Sequence, residues 1–257
     1  MRPTHIAVFA IALSMAAASG MAQDDVARRW ALSVGISPVM PVVTGNDAPS
    51  TQYDPVKTGG GPGFSAHLEY FIPHSGFSVV GGYDHEGLDY FSGDVSATMS
   101  QIMLGGRWYF LSPDKPLQPY LGAASFWNMS GRHAAGTMSM SSSHTVYERD
   151  YRVSSPLLSV APSVGVDMYF FSCIALEVDY GFRLAVDGKT KVNTRYNGSD
   201  RLYATRSPMH RHAISVALKT TFPFAFTRDD FGGLIDFLLG VEHRRTVKKT
   251  KINLDNY

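Results

Sequence analysis

The sequence has one cysteine, Cys173, in 257 residues, so an intramolecular disulfide framework is excluded. Charged residues make up only 18%, and the formal net charge of +1 gives no global pull toward nucleic acid. Long apolar runs are also missing. The longest stretch past the N-terminal segment, Phe231 to Val241, is interrupted by Asp236. A spanning helix needs about 20 apolar residues, so no helical crossing is written here. In hydrocarbon the remaining solution is a closed β-barrel, because every backbone N–H and C=O must find a partner.

What is present starts with an export signal. Arg2 precedes an apolar run from Ile6 to Leu13, and small residues follow up to Gly20-Met21-Ala22. That order predicts a secretory signal peptide over 1–22, cut after Ala22. With no cysteine after the small-residue stretch, the mature N-terminus is expected to carry no lipid.

The remaining chain alternates with period two. Leu32, Val34, Ile36, Pro38 and Met40 share one parity, against Ala31, Ser33, Gly35 and Ser37. Leu158, Val160, Pro162, Val164, Val166, Met168 and Phe170 oppose Ser159, Ala161, Ser163, Gly165 and Asp167. Ile174, Leu176, Val178, Tyr180, Phe182, Leu184 and Val186 oppose Ala175, Glu177, Asp179, Gly181 and Arg183. Such alternation reads as strand. Eight strands are predicted, near 30–43, 63–73, 76–90, 95–111, 117–129, 155–171, 174–187 and 208–222. A soluble sandwich also alternates, but its strands are usually about 5 or 6 residues, whereas a tilted spanning strand needs about 9 to 11.

The connections follow the same logic. Pro73-His74-Ser75-Gly76, Ser112 to Pro116, and Phe171-Ser172-Cys173 are tight links, while those near 44–62, 91–94, 130–154 and 188–207 are mostly long and polar. Short turns at one end and long loops at the other are the outer-membrane barrel pattern, with long loops extracellular and both termini periplasmic. Aromatics gather at the short-turn ends: Tyr70, Trp108, Phe110, Tyr169, Phe170, Phe222, Phe224 and Phe226 form an expected periplasmic girdle. Tyr83, Tyr90, Phe126 and Trp127 offer a weaker second belt.

On these features the chain resembles the small outer-membrane β-barrels, similar to the OmpA transmembrane domain and OmpX. The likeness covers residues 30–226 and rests on strand pattern, loop asymmetry and strand endings such as Trp108-Tyr109-Phe110. It implies an all-β, eight-stranded antiparallel up-and-down barrel in the outer membrane, in contact with its lipid and lipopolysaccharide. It also implies insertion by the barrel-assembly machinery through the last strand, where Phe226 would be the terminal aromatic, although the chain runs on to Tyr257. The tail, 227–257, places Phe231, Leu234, Ile235, Leu238 and Leu239 at helical spacing before a basic run, so a short periplasmic helix is favoured.

Inward parity or a place near it falls to His67, Glu69, Asp84, Arg107, Glu177, Asp179, Arg183, Arg211 and Lys219, with both signs in similar numbers. An eight-stranded lumen is only wide enough to be filled by its own side chains, so an ion-pair network is expected there. A catalytic site is not expected: His212 and Ser215, at a spacing of three, point to opposite faces of a strand. In the loop 132–151, His133, Met138, Met140 and His144 are soft copper-ligand types, but a flexible Ser-rich loop is the preferred reading. Tyr147, Tyr151, Tyr196 and Tyr203 are loop aromatics available for surface contact, and Asn128-Met129-Ser130 and Asn197-Gly198-Ser199 are glycosylation patterns without expected meaning in a bacterium. No cofactor or metal is expected. The function expected is a monomeric structural or interaction barrel; a narrow transport channel ranks second and a lipid-modifying enzyme last. The exported protein should begin at Gln23, read by N-terminal sequencing or intact mass; a start elsewhere refutes the signal assignment.

Overall fold

A computed structural model describes residues 28–42, 45–46, 58–90, 95–113, 115–142, 145–196, 200 and 202–222. The tail, Phe224, Phe226, His144 and the Asn197-Gly198-Ser199 pattern lie outside them, as do the side chains of Tyr90, Met140 and Tyr147. All regular structure among the described residues is β.

Eight antiparallel staves close on themselves. The first is β1 (Trp30–Ile36) continued by β2 (Val39–Pro41). The others are β4 (Thr58–Phe71), β5 (Phe77–Tyr90), β6 (Val95–Tyr109), β7 (Leu117–Asn128), β10 (Leu158–Tyr169), β11 (Ile174–Ala185) and β14 (Arg211–Phe222). β1 pairs with β14 on one side and β4 on the other, leaving no free edge. Pro38 interrupts the first stave because it has no N–H to give, yet its carbonyl accepts from the Ile214 amide at 3.1 Å. All eight predicted strands are therefore found, with β4 starting five residues before its expected position at 63.

Alternation sorts every stave between two solvents. Leu218 on β14, Leu104 on β6, Val164 on β10 and Leu68 on β4 are 58%, 51%, 50% and 49% exposed. Their sequence neighbours Lys219, Gly105, Ser163 and Glu69 lie on the lumen side, and Lys219 and, further along β10, Asp167 are fully enclosed. A soluble protein seldom leaves an apolar belt running round its whole circumference. Short turns join β4 to β5, β6 to β7 and β10 to β11; in the first, His74 takes a positive φ of 57°.

Two of the long polar connections carry strands of their own, and the stretch 132–151, expected from sequence as a flexible Ser-rich loop, is one of them. The described parts of these connections form two strand pairs, β8 (His133–Ser142) with β9 (Thr145–Ser154), and β12 (Lys189–Tyr196) with β13 (Leu202–Pro208). With β3 (Gly45–Asn46) they form a five-stranded sheet of order β3-β13-β12-β9-β8. Its inner face packs Val153 and Val192, with Met209 just past β13, onto Val39, Leu88, Met99 and Ala213, an apolar plug at the long-loop mouth. Met138, one of the candidate copper-ligand side chains, packs against this cluster, and His133 is exposed.

The hairpin bases are clipped together. Arg132 pairs with Asp187 and donates from Nε to the Ser155 carbonyl at 3.2 Å, while the Leu157 amide donates to Asp187 at 2.7 Å. Desolvation opposes the Asp187 charge, but the Leu157 amide and the Arg132 guanidinium outweigh it and hold this carboxyl below the usual range. Gly188 follows at φ 95°, with a Cβ there falling 2.7 Å from the Pro156 nitrogen, so the turn into β12 requires glycine.

Val178 lies on the outer face between Val166 and Val216 in register. Val178→Arg should cost about 2–4 kcal/mol near the midplane, read by urea unfolding of the lipid-refolded protein. Equal stability would refute the facing assigned to β11.

Candidate functional site

The chemistry of this chain is concentrated inside the barrel, in two layers. Near the short-turn end, the Arg107 guanidinium donates to Glu177 at 2.6 and 2.9 Å and to Glu69 at 3.1 Å. Lys219 Nζ lies 2.5 Å from Glu69, 2.5 Å from Asp167 and 3.5 Å from Glu177. Tyr109 and Ser78 hydroxyls donate to Glu69 at 2.8 and 2.5 Å. Carboxylate oxygens of Glu69, Asp167 and Glu177 lie within 4.8 Å of one another, the spacing of a cation site. The cation that fills it is the Lys219 ammonium.

The second layer lies toward the long-loop end. Arg183 donates to Asp84 at 3.0 Å and to Gln101 at 3.2 Å, and it also pairs with Glu86. Arg211 donates from Nε to Glu86 at 2.5 Å and from its other nitrogens to Ser159, the Met209 carbonyl and Gln101, each at 3.3 Å. His67 Nε2 meets Asp84 at 2.9 Å. Between the layers is a cavity of about 50 Å³, lined by Asp179, Arg107, Arg183, His67 and the small side chains of Ala124 and Ser163. That is room for a few waters, not for an open pore.

Small residues make the crowding possible. Tyr120 lies opposite Gly165 in register, and a Cβ at Gly165 would sit 2.4 Å from the tyrosine ring. The absent side chain lets the ring lie across the lumen, where its hydroxyl donates to Asp179 at 3.1 Å.

The structure thus brings eight of the nine expected lumen residues into the two ion-pair layers and sets the ninth, Asp179, on the cavity between them. Asp167, Glu86 and Gln101 are members that sequence reasoning left out. Asp167 carried the signal, since it shares parity with Ser163 and Gly165; Glu86 was hidden by the poor alternation of β5 after Gly81-Gly82.

At the short-turn end Trp108, Phe110 and Phe170 are 48%, 45% and 41% exposed on the outer wall. Trp108 lies 6.1 Å from Phe77 and 4.9 Å from Phe110, and Tyr70 is 4.7 Å from Trp30. Phe222 is half-buried opposite Trp30. Tyr169 corrects the expected girdle: it is 3% exposed, with the Arg28 guanidinium 3.6 Å over its ring. Its parity is that of Asp167, so the ring must turn inward. Phe126 is likewise in the lumen, under Arg183, and not in the second belt. That belt instead includes Tyr180, Phe182, His210 and His212, with Phe182 and His212 rings 4.9 Å apart. His212 bonds Tyr180 on the outside while Ser215 lines the inner cavity, so the two share no site.

A closed eight-stave barrel, apolar outside and ion-paired within, has the architecture of the small outer-membrane β-barrels. No protein-family model matches the sequence, and no curated protein matches it. Solved structures that superpose on it include the N-terminal β-barrel domain of Pseudomonas aeruginosa OprF, at 10% identity and a TM-score of 0.37, covering 75% of this chain and 98% of that one. Another is OprG from Pseudomonas aeruginosa, at 12% identity and 0.42, covering 76% and 96%. The outer membrane protein AlkL in lipid bilayers matches at 13% and 0.42, covering 80% and 99%. At these values the likeness carries no statement about ligand or activity.

Lys219→Met should cost about 3–5 kcal/mol, because three converging carboxylates would keep only Arg107 as counter-ion. Urea unfolding of the folded barrel in detergent measures this; a loss below about 1 kcal/mol would show that the layer is not held by that ammonium.

Proposed function

We propose that this chain is exported to the outer membrane and acts there as a closed structural or interaction barrel, presenting its five-stranded sheet at the cell surface. In this reading the long-loop end is extracellular and both termini are periplasmic. The barrel is a monomer, inserted by the barrel-assembly machinery through β14, with outer-membrane lipid and lipopolysaccharide around it. The reading has no enzymatic role for the chain, in keeping with His212 and Ser215 on opposite faces of one strand.

The observation that carries the proposal is the filled lumen. Two ion-pair layers and the apolar plug of Val39, Leu88, Val153 and Val192 stand in series along it. Moving ions through would require breaking buried pairs, each costing several kcal/mol when one partner is lost. A transport barrel would need at least one of these obstacles to be absent.

Planar-bilayer recording of the folded full chain tests this. The expected result is no reproducible stepwise conductance. A stable open state with defined conductance would replace the closed-barrel reading with a channel.

A further inference from the structure

The exposed face of the five-stranded sheet carries an arrangement that folding alone would not favour. Reading straight across the strands, Ala135 on β8 pairs with Arg152 on β9, Arg152 with Lys191 on β12, Lys191 with Arg206 on β13, and Arg206 with Gly45 on β3. Three cations therefore stand side by side on adjacent strands, all exposed and flanked by a small residue at each end. Cβ atoms of directly opposed residues are about 4.5–5.5 Å apart, and like charges at that distance destabilise a sheet. Lys189, exposed and two residues from Lys191, adds a fourth positive charge to the same face.

Compensation is available elsewhere on this face and is not used here. Arg195 and Glu148, opposed in register on β12 and β9, form an ion pair at 3.5 Å. Asp150, the acid nearest the row along β9, accepts a hydrogen bond from Thr137 at 2.8 Å. Among the described residues no carboxylate forms an ion pair with Arg152, Lys191 or Arg206. Among these residues the row is a set of donors without an anion.

Position says where the anion comes from. The opposite face of these strands, with Val153 and Val192, packs on lumen-side residues, so the cations lie on the exterior side of the wall. Lower on that exterior are the rings of Tyr180, Phe182, His210 and His212, amphipathic groups of the kind that settle at a membrane interface. Arg206 is four residues beyond His210, at most about 13 Å along a strand. Long cationic side chains at that height reach the headgroup layer.

We propose that Arg152, Lys191 and Arg206, aided by Lys189, form a docking site for the phosphorylated headgroup of a lipid in the leaflet at the long-loop end. Two guanidinium forks and an ammonium suit a phosphate-bearing saccharide headgroup, since each fork can grip two phosphate oxygens. Occupancy removes the repulsion within the row, and the site tethers the sheet to the membrane surface. The inference rests on the membrane-spanning reading above.

The test compares the folded full chain with the Arg152→Gln/Lys191→Gln/Arg206→Gln variant in detergent, using fluorescent diphosphorylated lipid A as probe. The heat-modifiable gel shift of each protein reports barrel folding separately, so failure of the barrel reading would be seen there and not in binding. Binding should weaken on the order of ten-fold in the variant, the scale expected when three exposed charge contacts are lost together. It should also weaken with salt in the parent only, and with the dephosphorylated lipid. Without lipid, the variant should unfold at the same temperature as the parent or higher. Equal binding by parent and variant would overturn the site. So would full displacement of the lipid by equimolar inorganic pyrophosphate, which would make a free phosphate the occupant. A variant less stable than its parent without lipid would show that protein groups already satisfy the cations, which also overturns it.

Discussion

Lys219 has no contact with water, and its ammonium is surrounded by Glu69, Asp167, Glu177 and the Tyr109 hydroxyl. A charge so enclosed is tolerable only with this much compensation, and the compensation comes from β4, β10, β11 and β6 at once. No hairpin of this chain can satisfy it alone. The barrel has to close before the ion-pair layer exists, and once the layer exists, opening any seam strands a charge. Closure and lumen chemistry are thus one constraint, and the β1–β14 seam on which Lys219 lies is where the ring is sealed.

The same constraint fixes register. A slip of one residue along any stave would send its lumen charges into hydrocarbon and its Leu and Val side chains into the ion-pair layers. Pro38 and Gly165 add local pins. Pro38 withholds a donor at one point of the first stave, and Gly165 leaves the space that the Tyr120 ring fills against β10. Alternation is a coarse instruction, but a lumen this full gives it few solutions.

What could be read from the sequence follows from that difference between walls and fillings. The staves were legible because the apolar–small alternation recurs along the chain, most cleanly in β1, β10 and β11, with turn residues marking the ends of the rest. Tyr169 was misplaced because aromatic clustering at a strand end was weighed above the parity that Asp167 had already set. Glu86 was missed since an acid counts as lumen-facing only if its strand alternates cleanly, and β5 does not; Asp167 was legible from the parity of Ser163 and Gly165 and was left out all the same. The hairpins β8–β9 and β12–β13 were illegible for another reason. Their faces are built from Ser, Thr, Arg and Lys, and only Val153, Val192 and Met138 with a few aromatics mark the buried side. Hydrophobic periodicity has little to register when one face must plug a mouth and the other must meet water.

Those hairpins carry the alternation past the membrane into a third environment. Along the staves, successive residues choose between lumen and lipid; along β9, β12 and β13 they choose between an apolar plug and an exposed polar face. The plug shields the ion-pair layers from bulk water, which strengthens the pairs beneath it. The outer face is relieved of any packing duty, so its residues are free to be set by what lies outside. Arg195 and Glu148 use that freedom to pair, whereas Arg152, Lys191 and Arg206 stand together with no ion pair among the described residues. A sheet whose only task was to cover the mouth would gain by exchanging any one of them for an acid or a threonine. Their alignment in one register line ties the exposed face to an anion supplied from beyond the chain, as the buried face is tied to the lumen.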